Sequence, residues 1–159
     1  MLHPYYSVVG ASRAVYEDLL RARGAGRDVL EYGCGPGSYA FFLADLGASV
    51  LGIDISTTAI EQASAEARQR GADRVEFRRL NAESLDLPDA SFDLVCGTGI
   101  LHHLDLTRAY AEIARTLRPG GSAVFIEPLG HNPLINRFRR RTRALRTEDE
   151  HPLRVEDLE

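Results

Sequence analysis

With 159 residues, 44% of them hydrophobic and 26% charged, the chain has the size and apolar content of one globular domain with its own core, which excludes a disordered tail, a collagen repeat and a disulfide scaffold. Nineteen basic against 23 acidic side chains leave a formal net charge of -4, so no overall field draws the chain onto nucleic acid or an anionic membrane. All the basic residues are arginines, which excludes a catalytic or Schiff-base lysine.

Ser12–Arg23 reads as an amphipathic N-terminal helix, preceded by the aromatic pair Tyr5 and Tyr6. These tyrosines and Tyr16 either cover a ligand or anchor that helix. Val29–Tyr32 is a short apolar strand that runs into the turn Gly33-Cys34-Gly35-Pro36-Gly37, and Ser38–Leu46 has the length of a helix that stops at Gly47. The pattern repeats: Ser49–Ile55 forms a buried strand, then Ser56 or Thr58 caps a helix through Arg70, with Glu61 as the capping-box partner of Thr58 and Gly71 as the stop. Val75–Leu80 and Phe92–Cys96 give third and fourth strands. Leu106–Leu117 forms a helix closed by Arg118-Pro119-Gly120-Gly121, and Ser122–Glu127 is the fifth strand. Strands alternating with helices predict an α/β fold, a doubly wound, Rossmann-like parallel sheet of about five strands with helices on both faces. The chain is thus one domain: residues 1–27 an N-terminal segment, 28–127 the alternating core and 128–159 a C-terminal segment with a helix over Pro133–Leu145.

Cys34 and Cys96 lie far apart and outside any histidine cluster, so no metal site is expected, and unpaired thiols suit a reducing, cytoplasmic compartment. No apolar run reaches the roughly 18–20 residues of a membrane span, and Met1–Gly10 lacks the regions of a signal peptide.

A glycine turn between a buried strand and a helix lets backbone approach a ligand closely and aims helix N-terminal amides at it. Asp54, at the end of the second strand, is placed to accept hydrogen bonds from both hydroxyls of a ribose, or to cap the helix that follows. In this context Val29–Gly37 resembles the first motif of class I S-adenosylmethionine (SAM)-dependent methyltransferases. Leu51–Ser56, Asn81–Pro88, Ser91–Cys96 with Leu101–Leu104, and Leu117–Gly121 resemble four further motifs in the same order. The resemblance implies SAM as cofactor. It places Glu31 at the methionine amino group, Gly33, Cys34 and Gly35 against the amino-acid portion, Asp54 at the ribose and Ile55 against the adenine. Asn81, Ala82 and Glu83 fall on the adenine side and Gly97 at the methionine end. Where the family commonly has Asp this chain has Asn81, whose amide oxygen still accepts a hydrogen bond, without the charge.

Methyl transfer needs a general base only when the acceptor starts protonated. By residue type the candidates are His102, His103 and His131, although an LHHL segment also suits packing and capping. Glu127, at the end of the fifth strand, reads with His131 as part of a ligand-side loop. Six arginines between Arg137 and Arg146 read as a solvated helix face rather than a nucleic-acid grip. The expected activity is methylation of a small molecule at oxygen or carbon rather than at a nucleobase nitrogen. A non-catalytic SAM-binding or assembly module is the alternative. A nicotinamide-dependent oxidoreductase is weakened because Ser38 replaces the third glycine of the dinucleotide fingerprint. The resemblance further implies a final hairpin that this chain lacks. Ser122–Glu127 is therefore expected to be an open sheet edge, and the chain to form a homodimer through it or by exchange of its C-terminal segment.

Overall fold

The computed structural model describes the backbone of residues 5–9 and the whole of residues 13–127. In chain order these form β1 (Tyr5–Val9), α1 (Arg13–Gly24), β2 (Asp28–Tyr32), α2 (Ser38–Asp45), β3 (Ser49–Asp54), α3 (Thr57–Arg70), β4 (Val75–Arg79), β5 (Phe92–Thr98), α4 (Leu106–Thr116) and β6 (Leu117–Ile126). The sheet runs β1-β6-β5-β2-β3-β4, and every pairing is parallel. The predicted Rossmann-like alternation is present, with one strand more than expected.

That strand corrects the expectation of an open edge. Tyr5 to Val9 pair in register with Ser122 to Ile126, so the backbone groups of the predicted fifth strand, here β6, are satisfied on both sides. Tyr5 and Tyr6, read from sequence only as preceding the first helix, thus stand on a strand of their own. Edge pairing between copies loses its premise at β6, and the segment invoked for C-terminal exchange lies outside the described residues. So do the predicted helix over Pro133–Leu145, the arginine run and His131.

β6 also begins earlier than expected. Phe92 pairs with Leu117 but Leu94 pairs with Ser122, so Arg118–Gly121 bulge out between the two, where Pro119 has no amide to donate and Gly120 takes a left-handed φ of 82°. The bulge is pinned by Arg118, whose guanidinium lies 2.8 Å from Asp28 and 2.9 Å from Asp93.

Period-two alternation divides the strands between two cores. Val29, Val50, Leu94 and Val124 pack with Tyr16, Leu20, Phe41 and Ala63 of α1, α2 and α3. On the opposite face Leu30, Leu51, Val95 and Ala123 pack with Ile113 of α4 and with Ala82 and Leu85. Ser56 is the N-cap of α3, its hydroxyl accepting from the Ala59 amide at 3.2 Å. Thr58 is therefore already inside the helix, and Glu61 is too far along to close a capping box. Gly71 ends the helix at φ 62° as expected. Among the described residues no helix is long and apolar enough to cross a membrane.

The connection from β4 to β5 is held by one side chain. Arg115 of α4 donates to the Leu87 carbonyl at 2.7 Å, the Leu85 carbonyl at 3.1 Å and Asp89 Oδ1 at 2.6 Å, while Glu112 orients it at 2.6 Å. Glu112 in turn accepts from the Leu85 amide at 2.9 Å. Arg115→Ala leaves these partly buried carbonyls unpaired, and is expected to cost about 2–3 kcal/mol in urea unfolding. Arg115→Lys is expected to recover little, because one ammonium cannot replace a planar fork.

Candidate active site

β2 connects to β3 on one side while β5 lies on the other, so a crevice opens beyond the carboxyl ends of the strands at the point where the sheet's winding changes direction. A cleft of ≈ 420 Å³ lies there, lined by Gly33, Asp54, Ile55, Asn81, Ala82 and Glu83, together with Leu80, Ile100, His103 and Leu104. That volume falls within the roughly 300–1,000 Å³ usual for small-molecule sites. Seven residues singled out from sequence, on four separate segments, are thus brought to one cavity.

The glycine turn is shaped by its neighbours. The Cys34 amide donates to the Ile53 carbonyl at 2.9 Å and the Gly37 amide to the Cys34 carbonyl at 2.9 Å. Gly33 (φ 62°), Gly35 (φ 49°) and Gly37 (φ 87°) all lie in the left-handed region, but they serve different ends. A Cβ on Gly37 would fall 2.5 Å from the Phe77 ring, and one on Gly33 would fall 2.9 Å from Ile100. Among the described residues, a Cβ on Gly35 would meet nothing within 4 Å. Gly37 is therefore a packing glycine, whereas Gly35 faces open space that a ligand can fill. Cys34 is buried, which raises its thiol pKa well above the ordinary value, so it acts through its backbone rather than as a nucleophile.

Asp54 takes up, in part, the second of its expected roles, at the start of the helix that follows. Its Oδ2 accepts from the Gly35 amide at 3.0 Å and its Oδ1 from the Ser56 amide at 2.9 Å, so it ties the turn to the start of α3. Asp54 also lines the cleft, and each of its oxygens has capacity for a further hydrogen bond such as a vicinal diol would donate. Ile55 is 66% exposed, one of only two large hydrophobic side chains that open to solvent among the described residues, and it offers a flat apolar contact for a base. Removing the carboxylate in Asp54→Ala is expected to weaken binding of an adenosine-containing ligand more than about tenfold, read by calorimetric titration.

On the far wall Asn81 Oδ1 accepts from the Glu83 amide at 3.0 Å, and Glu83 Oε1 accepts from the Asp105 amide at 2.9 Å, just ahead of α4. Glu83 is therefore a brace for the loop as well as a lining residue. Gly97 does not border the cleft. A Cβ there would fall 2.9 Å from Ile100, from Phe125 and from the Tyr32 carbonyl, so its lack of a side chain serves packing.

Glu31 is 3% exposed on β2 and, among the described residues, its Oε2 has no hydrogen-bond partner. Burial pushes its pKa up to about 8 against an ordinary 4.5, opposed by the Ala40 amide and reinforced by Asp54. An orphaned buried carboxyl beside an open glycine cradle is a socket for a cation. The ammonium group of SAM fits there as its adenosine fits the cleft at Asp54 and Ile55. The cost of burying Glu31 is absent below about pH 4.5, where both folded and unfolded chains are protonated. It grows as pH rises to about 8, because only the unfolded chain then ionises freely, and it is constant above. Glu31→Gln is therefore expected to raise the melting temperature of the ligand-free chain at pH 8 and to leave it unchanged near pH 4.5, while weakening binding of the cationic ligand.

The segment after β5 is held by a side chain from the end of β6. Leu101–His103 form a single 3-10 turn, and Glu127, 3% exposed, reaches in from the end of β6. Its Oε1 accepts from the Ile100 amide at 2.8 Å and the Leu101 amide at 2.9 Å, while its Oε2 lies 2.8 Å from His102 Nδ1. His103 stacks on His102 with ring centroids 4.1 Å apart and borders the cleft. An acid at the carboxyl end of a central parallel strand was the available signal for Glu127. Ile100, Leu80 and Leu104 carried no polar signal and were missed.

Residues 30–125 match a family described as methyltransferase domain. Among curated proteins, the chain is 41% identical over 100 residues to 27-O-demethylrifamycin SV methyltransferase of Amycolatopsis mediterranei, covering 61% of this chain and 37% of that one. It is 36% identical over 102 residues to the ubiquinone biosynthesis O-methyltransferase of Paracidovorax citrulli, covering 63% and 43%. The crystal structure of YcgJ from Bacillus subtilis superposes with a TM-score of 0.78 at 26% identity, over 92% of this chain and 65% of that one. The [4+2]-cyclase SpnF superposes with a TM-score of 0.64 at 34% identity, over 77% and 49%. The chain thus spans about two fifths of the length of these curated relatives.

Proposed function

Because the chain belongs to the methyltransferase domain family matched over residues 30–125, we propose that it binds SAM in the cleft and directs methyl transfer to a hydroxyl, or to a carbon activated by one, on a small organic molecule. The observation that carries this reading is the buried His102–Glu127 pair, Nδ1 to Oε2 at 2.8 Å. A neutral amine needs no base to accept a methyl group. A hydroxyl must lose a proton, and an imidazole oriented by a carboxylate is the arrangement that takes it.

When bound, SAM supplies an electrophilic methyl group on a sulfonium, so the chain has only to hold, orient, exclude water and move one proton. Asp54 and Ile55 hold the nucleoside half, the Gly33–Gly35 turn the linking portion and Glu31 the ammonium. Glu127 Oε2, 2.8 Å from His102 Nδ1, holds the imidazole in one orientation as the base for the acceptor's proton. It also stabilises the imidazolium formed when that proton arrives. The relatives whose names specify O-methylation are in keeping with this chemistry. A nicotinamide-dependent reaction finds no support in the family match. Mass-spectrometric screening of phenols, alcohols, carboxylates and amines with SAM tests the reading. Turnover confined to hydroxyl-bearing acceptors supports it, and turnover confined to amines refutes it. SAM binding without transfer to any class favours the non-catalytic alternative.

A further inference from the structure

Ile100 stands where the two innermost strands end. Its Cγ1 lies 2.9 Å from the position of a Cβ on Gly33, at the end of β2, and its Cγ2 lies 2.9 Å from one on Gly97, in β5. Both glycines leave room for this one side chain, which also borders the cleft between the ribose end at Asp54 and Gly33. Its backbone is fixed as well: the Ile100 and Leu101 amides both donate to Glu127 Oε1, at 2.8 and 2.9 Å. A ligand bound by its diol at Asp54 and its ammonium at Glu31 must thread its middle past Gly33. In SAM that middle is the S-alkylated sulfur.

We propose that Ile100 is a specificity-determining residue, the wall that limits the size of the alkyl group the cleft admits on the sulfonium, and that Glu127 is the positioning residue that holds the wall in place. The proposal rests on the SAM reading above. Ile100 is half-buried and backed by two glycines that cannot move aside, so on that side a larger S-alkyl group meets packed side chain and backbone. Removing part of the Ile100 side chain opens space on the cleft side and leaves Asp54, Ile55 and Glu31 untouched.

Calorimetric titration with SAM, with its S-allyl analogue and with S-adenosylhomocysteine, which has no S-alkyl group, tests this without catalysis. The unmodified chain is expected to bind SAM about tenfold or more tighter than the allyl analogue, the scale of a few carbons misfitting an apolar pocket. Ile100→Ala is expected to bring the two within about threefold, with S-adenosylhomocysteine affinity changed by less than about threefold. Ile100→Val, which keeps β-branching, is expected to give an intermediate ratio, and Glu127→Ala, which leaves the Ile100 and Leu101 amides without their acceptor, to narrow the ratio by loosening the loop. Equal binding of SAM and the allyl analogue by the unmodified chain, or an unchanged ratio in both Ile100→Ala and Ile100→Val, overturns the assignment to Ile100 while SAM binding itself stands. Failure of the unmodified chain to bind either sulfonium or S-adenosylhomocysteine overturns the cofactor reading and this proposal with it.

Discussion

Replacing His102 by asparagine is expected to lower methyl transfer to a hydroxyl acceptor by about 10²- to 10⁴-fold, the range a positioned general base supplies, with SAM affinity changed by less than about threefold because the hydrogen bonds that hold Asp54 and the glycine turn do not involve His102. Glu127→Gln tests the same pair from its other side. The amide keeps an oxygen for the Ile100 and Leu101 amides, but its NH₂ now faces His102 Nδ1. That favours the tautomer with the proton on Nε2, which cannot accept another. A loss comparable to that in His102→Asn is therefore expected, and the double variant should be little worse than either single one, because the two residues act as a unit. Steady-state turnover beside calorimetric SAM affinity checks this. Wild-type turnover in a folded His102→Asn chain would remove the pair from the chemistry and leave Glu127 as a loop clamp alone.

The second large effect is expected at Gly35. Valine there faces two penalties. Its φ of 49° costs a β-branched residue more than the roughly 1–2 kcal/mol charged to an ordinary L-residue in the left-handed region. Its side chain also projects into space that, among the described residues, no atom beyond its chain neighbours occupies within 4 Å of the Cβ and that the ligand needs. SAM affinity is expected to fall more than about a hundredfold, equivalent to about 3 kcal/mol, in a chain that still melts cooperatively. Gly37→Val provides the contrast: its Cβ would lie 2.5 Å from Phe77, so it should damage the fold before it damages the site. Normal SAM binding by a folded Gly35→Val chain would mean that the turn is not the cradle.

How much of this was legible beforehand follows from what each part depends on. Strands such as Val29–Tyr32 and Ser49–Asp54 are short apolar runs bounded by glycines or a cap, a signal local to the sequence. The nucleoside end of the site was readable for the same reason, since Asp54, Ile55 and Asn81–Glu83 lie in contiguous segments next to predicted strand ends. β1 was not readable. Tyr5–Val9 becomes a strand only because β6, more than a hundred residues away in sequence, offers it an unpaired edge. The His102–Glu127 pair was hidden likewise: each residue alone has an ordinary structural explanation, and only the parallel pairing of β5 with β6 brings them within 2.8 Å. The open space at Gly35 and the packed space at Gly37 look identical in sequence, because the difference lies in where Phe77 points.

Calorimetric titration of the chain with SAM and, separately, with NAD is the most direct test that the cleft is a SAM site. Saturable SAM binding at one site per chain, lost in Gly35→Val and weakened more than about tenfold in Asp54→Ala, with no saturable NAD heat, is the expected result. Saturable NAD binding with no SAM heat would contradict it.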